Sequence, residues 1–183
     1  MKYKPLDQID YCCVPTSIIM ILERRKIPHG SQEEVGYELG LVVPKAAAHK
    51  FKKVRVKSKP GAGYGTQVAK KPYSINNFFR KYNINLIEEY IFTYNIEEAR
   101  KIIEENLKQN NDIITCFNSK ALHGEGDYGH VSLIESIEGD MITLVDPAKN
   151  VPKRIKVKLD KLVKAIEIHG KKNQAGFWVI KEK

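Results

Sequence analysis

Almost at its start the chain carries an apolar helix that the rest of the molecule must enclose. From about Cys13 to Arg25, Ile18, Ile19, Ile21 and Leu22 make an apolar face that ends before Pro28. So greasy a segment has to be buried, and everything after it must supply the cover. Ser31 followed by Glu34 has the capping-box spacing and predicts a short second helix that stops at Gly40. Between Val42 and Tyr73 the periodicity dissolves into prolines, glycines and lysines, which predicts a long loop region with little regular structure.

The pattern returns at Ser74, a cap for a third helix through Tyr82, and at Asn85 to Phe92, a strand. Asn95 caps an amphipathic helix through Lys108 that presents Ile96, Ala99, Ile102, Ile103 and Leu107 on one face. After that the chain turns to short β-branched runs: Asp112 to Phe117, Gly129 to Ile137, Met141 to Val145, Val151 to Lys158 and Gly176 to Ile180, with one helix near Asp160 to Ile168. Helices first and a mostly antiparallel sheet second is α+β architecture. At 183 residues, 42% of them hydrophobic, the chain suits a single domain over 1–183. No apolar run approaches the eighteen residues of a membrane span, and Met1-Lys2-Tyr3-Lys4-Pro5 does not read as a secretory signal, so a soluble, cytoplasmic protein is expected.

Thirty-one Lys and Arg against 22 Asp and Glu leave a formal charge of +9. Much of it lies in His49 to Lys59, in Lys70-Lys71 and in Lys153 to Lys158. In the last of these Ile155, Val157 and Leu159 alternate with charge, as in a strand with one solvated face. No nucleic-acid motif accompanies the basic residues, so nucleic acid is not the expected partner. The oligomeric state is not legible.

Three cysteines, Cys12, Cys13 and Cys116, form neither a disulfide framework nor a paired zinc spacing. A thiol acts as a nucleophile when ionised, and a helix start favours the thiolate because unpaired N–H groups point at it. Cys13 stands at such a start, with Asp10 or Cys12 as the cap and Pro15 inside the first turn. Gln8, just upstream, supplies an amide that can donate to a developing oxyanion together with the Cys13 backbone N–H.

Gln8-Ile9-Asp10-Tyr11-Cys12-Cys13-Val14-Pro15-Thr16-Ser17 resembles the Gln…Asp-Cys-Gly-Pro-Ala-Ser segment of papain-like cysteine peptidases. The closest branch is the one that processes bacteriocin leader peptides, peptidase family thirty-nine of the cysteine class. Tyr128-Gly129-His130-Val131-Ser132-Leu133-Ile134 and Leu144-Val145-Asp146-Pro147 are similar to that branch's Gly-His strand and Asp-Pro signature, and Gly176-Phe177-Trp178-Val179-Ile180 to its last core strand. The resemblance implies a papain-like fold, a peptide or protein substrate and no cofactor. It also implies roles: Cys13 attacks a carbonyl, His130 moves the proton, Asp146 holds the imidazole, and Gln8 lines the oxyanion hole. The family usually has one more residue between the Gln and the Cys, and Gly where this chain has Val14. Cys12 is the rival nucleophile but lacks the matching Pro at plus two. Two other readings stand beside this one: a glutathione-directed transpeptidase resembling phytochelatin synthase, and a non-catalytic basic binding module on the same fold.

Strand geometry gives an independent expectation. If Glu138, Gly139 and Asp140 form a three-residue hairpin loop, Ile137 opposes Met141, Ser132 opposes Asp146, and His130 shares the face of Asp146. A two-residue loop would shift the register by one and separate the two side chains. His123 falls in a flexible polar stretch whose spacing to His130 matches no metal motif, so no metal is expected. His29, His49 and His169 read as surface residues, Cys116 as inert, and Gly61-Ala62-Gly63-Tyr64-Gly65-Thr66 as a mobile loop. The basic stretch around 59–72 is a candidate cover for the cleft that favours acidic groups.

Overall fold

The computed structural model describes residues 2–57 and 63–183. In order these form α1 (Cys13–Arg24), α2 (Gln32–Glu38), β1 (Val42–Val43), β2 (Arg55–Val56), α3 (Ile75–Lys81), β3 (Leu86–Ile91) and α4 (Ile96–Lys108). They continue as β4 (Asp112–Asn118), α5 (Ser119–His123), β5 (Gly129–Glu138), β6 (Met141–Val145), β7 (Arg154–Lys158), α6 (Leu159–His169) and β8 (Gly176–Glu182). Six strands make one sheet in the order β3-β8-β4-β5-β6-β7, with every neighbouring pair antiparallel. No helix among the described residues is long and apolar enough to cross a membrane.

Local chemistry accounts for the helix boundaries. Ser31 closes a complete capping box with Glu34 at the start of α2. Ser74 and Asn95 accept from Asn77 N and Glu98 N at the starts of α3 and α4. The alternation of side chains along the strands then splits the core between two faces of the sheet. One face sends Ile114, Val131, Leu133, Val145 and Trp178 against Ile18, Met20, Ile21 and Leu22 of α1. The other sends Ile113, Phe117, Ile134, Leu144 and Phe177 against α4 and α6 through Ala99, Ile103, Leu162 and Ile166.

The stretch 42–73 is more regular than its composition suggests. β1 and β2 pair in parallel, and 3-10 turns cover Lys45–Lys50 and Lys71–Tyr73. What organises it is contact over distance: the Arg55 guanidinium lies 4.0 Å from the centre of the Tyr37 ring and 4.8 Å from that of Tyr73. Residues 58–62, with Gly61 and Ala62 of the glycine-rich motif and part of the expected cleft cover, lie outside the described residues. A short helix that the sequence pattern did not reveal, α5, takes in Leu122 and His123 at the start of what read as the flexible stretch before His130, and the rest of that stretch, 124–128, is irregular.

Candidate active site

The chain enters α1 through a sharp turn. Cys12 N donates to Ile9 O at 2.9 Å, and Tyr11 between them has φ 68, a left-handed conformation that costs a bulky residue free energy unless its surroundings hold it. The Tyr11 ring rests edge-on against Tyr64, 6.1 Å between centroids. Cys12 is the N-cap and Cys13 the first helical residue; Asp10 instead pairs with Lys50. The Cys12 carbonyl accepts from Thr16 N at 2.9 Å and Thr16 Oγ1 at 2.7 Å, which fixes the first turn.

This entry separates the two adjacent thiols. Cys12 is fully buried among Leu41, Val43 and Phe51, and burial first, then the negative charges of Cys13, Glu33 and Asp10, push its thiol up to about 12. Cys116 is buried too, and loss of solvent again raises its thiol, with Cys13 adding to the effect. Cys13 alone of the three is partly exposed. It projects from the start of α1, where the unpaired N–H groups of the first turn gather positive potential.

His130 and Asp146 meet on the sheet face away from α1, by a route the sequence did not foretell. The β5–β6 hairpin has a two-residue loop, Gly139 and Asp140, not three: Glu138 opposes Met141 and Ser136 opposes Thr143. Alone, that register would put His130 and Asp146 on opposite faces. Glu135 is an extra residue in β5, a bulge between the Ser136–Thr143 and Ile134–Leu144 pairs, and beyond it the register is the expected one, with Leu133 opposite Val145. One step further Ser132 faces Asp146 and donates to its Oδ2 at 2.6 Å. His130 Nε2 lies 2.9 Å from Asp146 Oδ1.

Asp146 is fully buried, which opposes ionisation, yet the close His123 imidazole, hydrogen bonds from His130 and Ser132 and the His130 charge hold its carboxyl far below the usual range. An ionised carboxylate only accepts, so Nε2 of His130 is the donor. Ala148 N adds a further hydrogen bond to Oδ1 at 2.8 Å. With Nε2 engaged, Nδ1 is the His130 nitrogen left to meet the Cys13 side chain, which is near enough to favour the charged imidazole. Burial opposes the His130 charge as well, but its hydrogen bond to Asp146 and the nearby Cys13, with their charges, lift it to about 10. The imidazole is thus poised as imidazolium between a sulfur and a carboxylate.

Gln8 is brought to the same place by its backbone, whose N–H donates to Pro147 O at 2.8 Å. It lines a cavity of about 160 Å³ with His130, His123, Ser119 and Tyr128, and its Oε1 is buried without a hydrogen-bond partner. The four residues singled out by sequence, Gln8, Cys13, His130 and Asp146, therefore converge at the border between the two cores.

Two histidines differ from expectation. His123, at the end of α5, turns inward: its Nε2 lies 3.2 Å from Asp146 Oδ2, and its ring packs edge-on against Phe117 and His130 at 5.5 and 5.9 Å. That approach to Asp146 is a close contact without hydrogen-bond alignment, and the His123 Nε2 has no other hydrogen-bond partner. His169, at the end of α6, is half-buried and stands over Gly129, where an added β-carbon would lie 2.4 Å from its Nε2. Gly129 is small because that ring occupies the space.

No protein-family model matches the chain, and no curated protein matches it. Among solved structures, a chain from Bacillus anthracis provisionally described as a C39-like peptidase is similar over 98% of this chain and 96% of that one, with a TM-score of 0.61 and 15% identity. At that identity the likeness establishes the fold: the chain has the α+β, papain-like fold of C39-like peptidases.

Proposed function

We propose that the protein is a cysteine peptidase or amide hydrolase that uses Cys13, His130 and Asp146, with residues 1–183 working as one domain. The observation that carries this reading is the continuous chain of contacts from the Cys13 side chain to the His130 ring to the Asp146 carboxylate, with the cysteine at a helix start. The Cys13 thiolate attacks the carbonyl carbon of a peptide-like amide, and the carbonyl electron pair moves to oxygen. The Cys13 backbone N–H and the Gln8 amide receive that oxyanion. Collapse breaks the C–N bond while His130 gives its proton to the leaving amine, leaving a thioester on Cys13. Water then attacks, His130 takes its proton, and release of the acid restores the thiolate–imidazolium pair. An amine in place of water would turn the same thioester into an acyl-transfer intermediate.

The substrate class is a peptide or protein, and a reduced Cys13 suits a reducing compartment such as the cytoplasm. The test is alkylation with iodoacetamide at neutral pH followed by peptide mapping, with Cys13→Ala and Cys12→Ala assayed on a peptide library. Cys13 is expected to carry the label and to be indispensable, whereas Cys12→Ala stays active. Labelling elsewhere, with Cys13→Ala fully active, would overturn the reading.

A further inference from the structure

His123 has no role in the chemistry above, yet the fold buries its imidazole against the same carboxylate. Its side chain is 11% exposed, its Nε2 has no hydrogen-bond partner, and it borders the cavity that reaches His130. Among the described residues, His123, His130 and Asp146 form the one group of three metal-ligating side chains, their ligand atoms all within 4.8 Å of one another. We propose that these three residues form a binding site for a divalent transition ion of the Zn²⁺ class, and that the ion acts as a reversible inhibitor.

The donor set fits. Two imidazoles and one carboxylate suit Zn²⁺, whose tetrahedral sites hold nitrogen and oxygen at about 2.0–2.2 Å and so place ligand atoms roughly 3.3 Å apart. The separations here are 2.9 Å from His130 Nε2 to Oδ1 and 3.2 Å from His123 Nε2 to Oδ2. All three ligand atoms lie within 4.8 Å of one another, and His123, at the last residue of the five-residue α5, is the group that would turn to complete the set. The carboxylate already has the outer hydrogen bonds that metal-bound carboxylates use, from Ser132 Oγ and Ala148 N. The adjoining cavity has room for water as the fourth ligand.

Binding has a definite balance. Zn²⁺ replaces the proton on His130 Nε2, which leaves to bulk water, and no electron is transferred. His130 then cannot shuttle protons and no longer pairs with Cys13 as an imidazolium. The inhibitory consequence rests on the hydrolase reading, but the binding does not.

Two measurements separate the two. Full-length Cys13→Ala protein, freed of metal with a chelator, is titrated with ZnCl₂ by calorimetry and with Co²⁺ by its ligand-field absorption. One ion per chain is expected. His123→Leu in the same background keeps an apolar side chain against Phe117 and should lose affinity at least about 100-fold, the upper end of what losing even an outer partner costs; His123→Ala serves as the second variant. No binding to Cys13→Ala, or unchanged affinity in a folded His123 variant, overturns the site. On the intact protein, Zn²⁺ should block turnover and chelation restore it. Binding without any peptide hydrolysis would leave the site standing and remove only the inhibitory role.

Discussion

Asp112 receives Arg24: the guanidinium Nε and Nη2 donate to its two carboxylate oxygens at 2.7 and 2.8 Å. Arg25 adds a third contact at 2.6 Å and the Tyr3 hydroxyl a fourth at 2.7 Å, around a carboxylate with no exposure to solvent. This clamp ties the end of α1 to the start of β4, and α1 carries Cys13 at its other end.

Removing that carboxylate leaves the partly buried Arg24 guanidinium without its counter-charge and Arg25 with the exposed Glu182 alone. Asp112→Ala is expected to lose about 3–5 kcal/mol of stability, the usual cost of breaking a buried pair from one side. The check is the urea midpoint and slope against the parent protein.

Gly129 and His169 are coupled by space. Gly129→Ala must displace the His169 ring and should cost about 1–3 kcal/mol as overpacking. His169→Ala should relieve most of that penalty, so a double-mutant cycle in denaturant is expected to give a coupling well above zero.

The His130 charge links stability to pH. Its folded value, about 10, exceeds its ordinary 6.5, so its contribution is complete below pH 6.5 and is lost as pH rises toward 10. Asp146 has the opposite sign: its depressed value makes its contribution complete above 3.8 and lost as pH falls below that. Denaturant midpoints from pH 6 to 10 should decline in the parent and decline less in Cys13→Ala, which lacks one of the two partners that hold the proton on His130.

Asp146→Asn and Asp146→Ala should behave differently. The Asn carbonyl can still accept from His130 and Ala148 N, while its amide donates to Ser132 Oγ, so the ring keeps its orientation. What Asn lacks is charge, and the alkaline limb of the rate profile should move to lower pH. Asp146→Ala loses orientation as well; both variants should reduce kcat/KM, Asp146→Asn by up to roughly 10⁴-fold, the scale of that change in a serine triad, and Asp146→Ala by at least as much. Steady-state rates from pH 5 to 10 distinguish the two.

The parts of the molecule that the sequence made legible are those set by local pattern. The apolar run of α1, the Ser31, Ser74 and Asn95 caps and the strands around Ile114, Leu133 and Leu144 all follow from neighbours within a few residues. Cys13, His130, Asp146 and Gln8 could be singled out because each sits in a short motif. The bulge at Glu135 could not, because its partners, Arg154 and Tyr3 N, lie 19 and 132 positions away. His123 was missed because a five-residue helix shows no period, and β1 and β2 because two-residue strands depend on Arg55 and its tyrosines. His169 read as a surface residue because nothing beside it in the chain announces Gly129.

The bulge and the hairpin tip form a matched set in which odd and even cancel. A chain of this fold with one more residue at the Gly139 tip would have to drop the bulge to keep its imidazole beside its carboxylate, and one without either irregularity would present them to opposite sides of the sheet. Length changes in this hairpin should therefore occur in compensating pairs among functional relatives, while a lone insertion or deletion there would mark a molecule that has kept the shape and given up the chemistry.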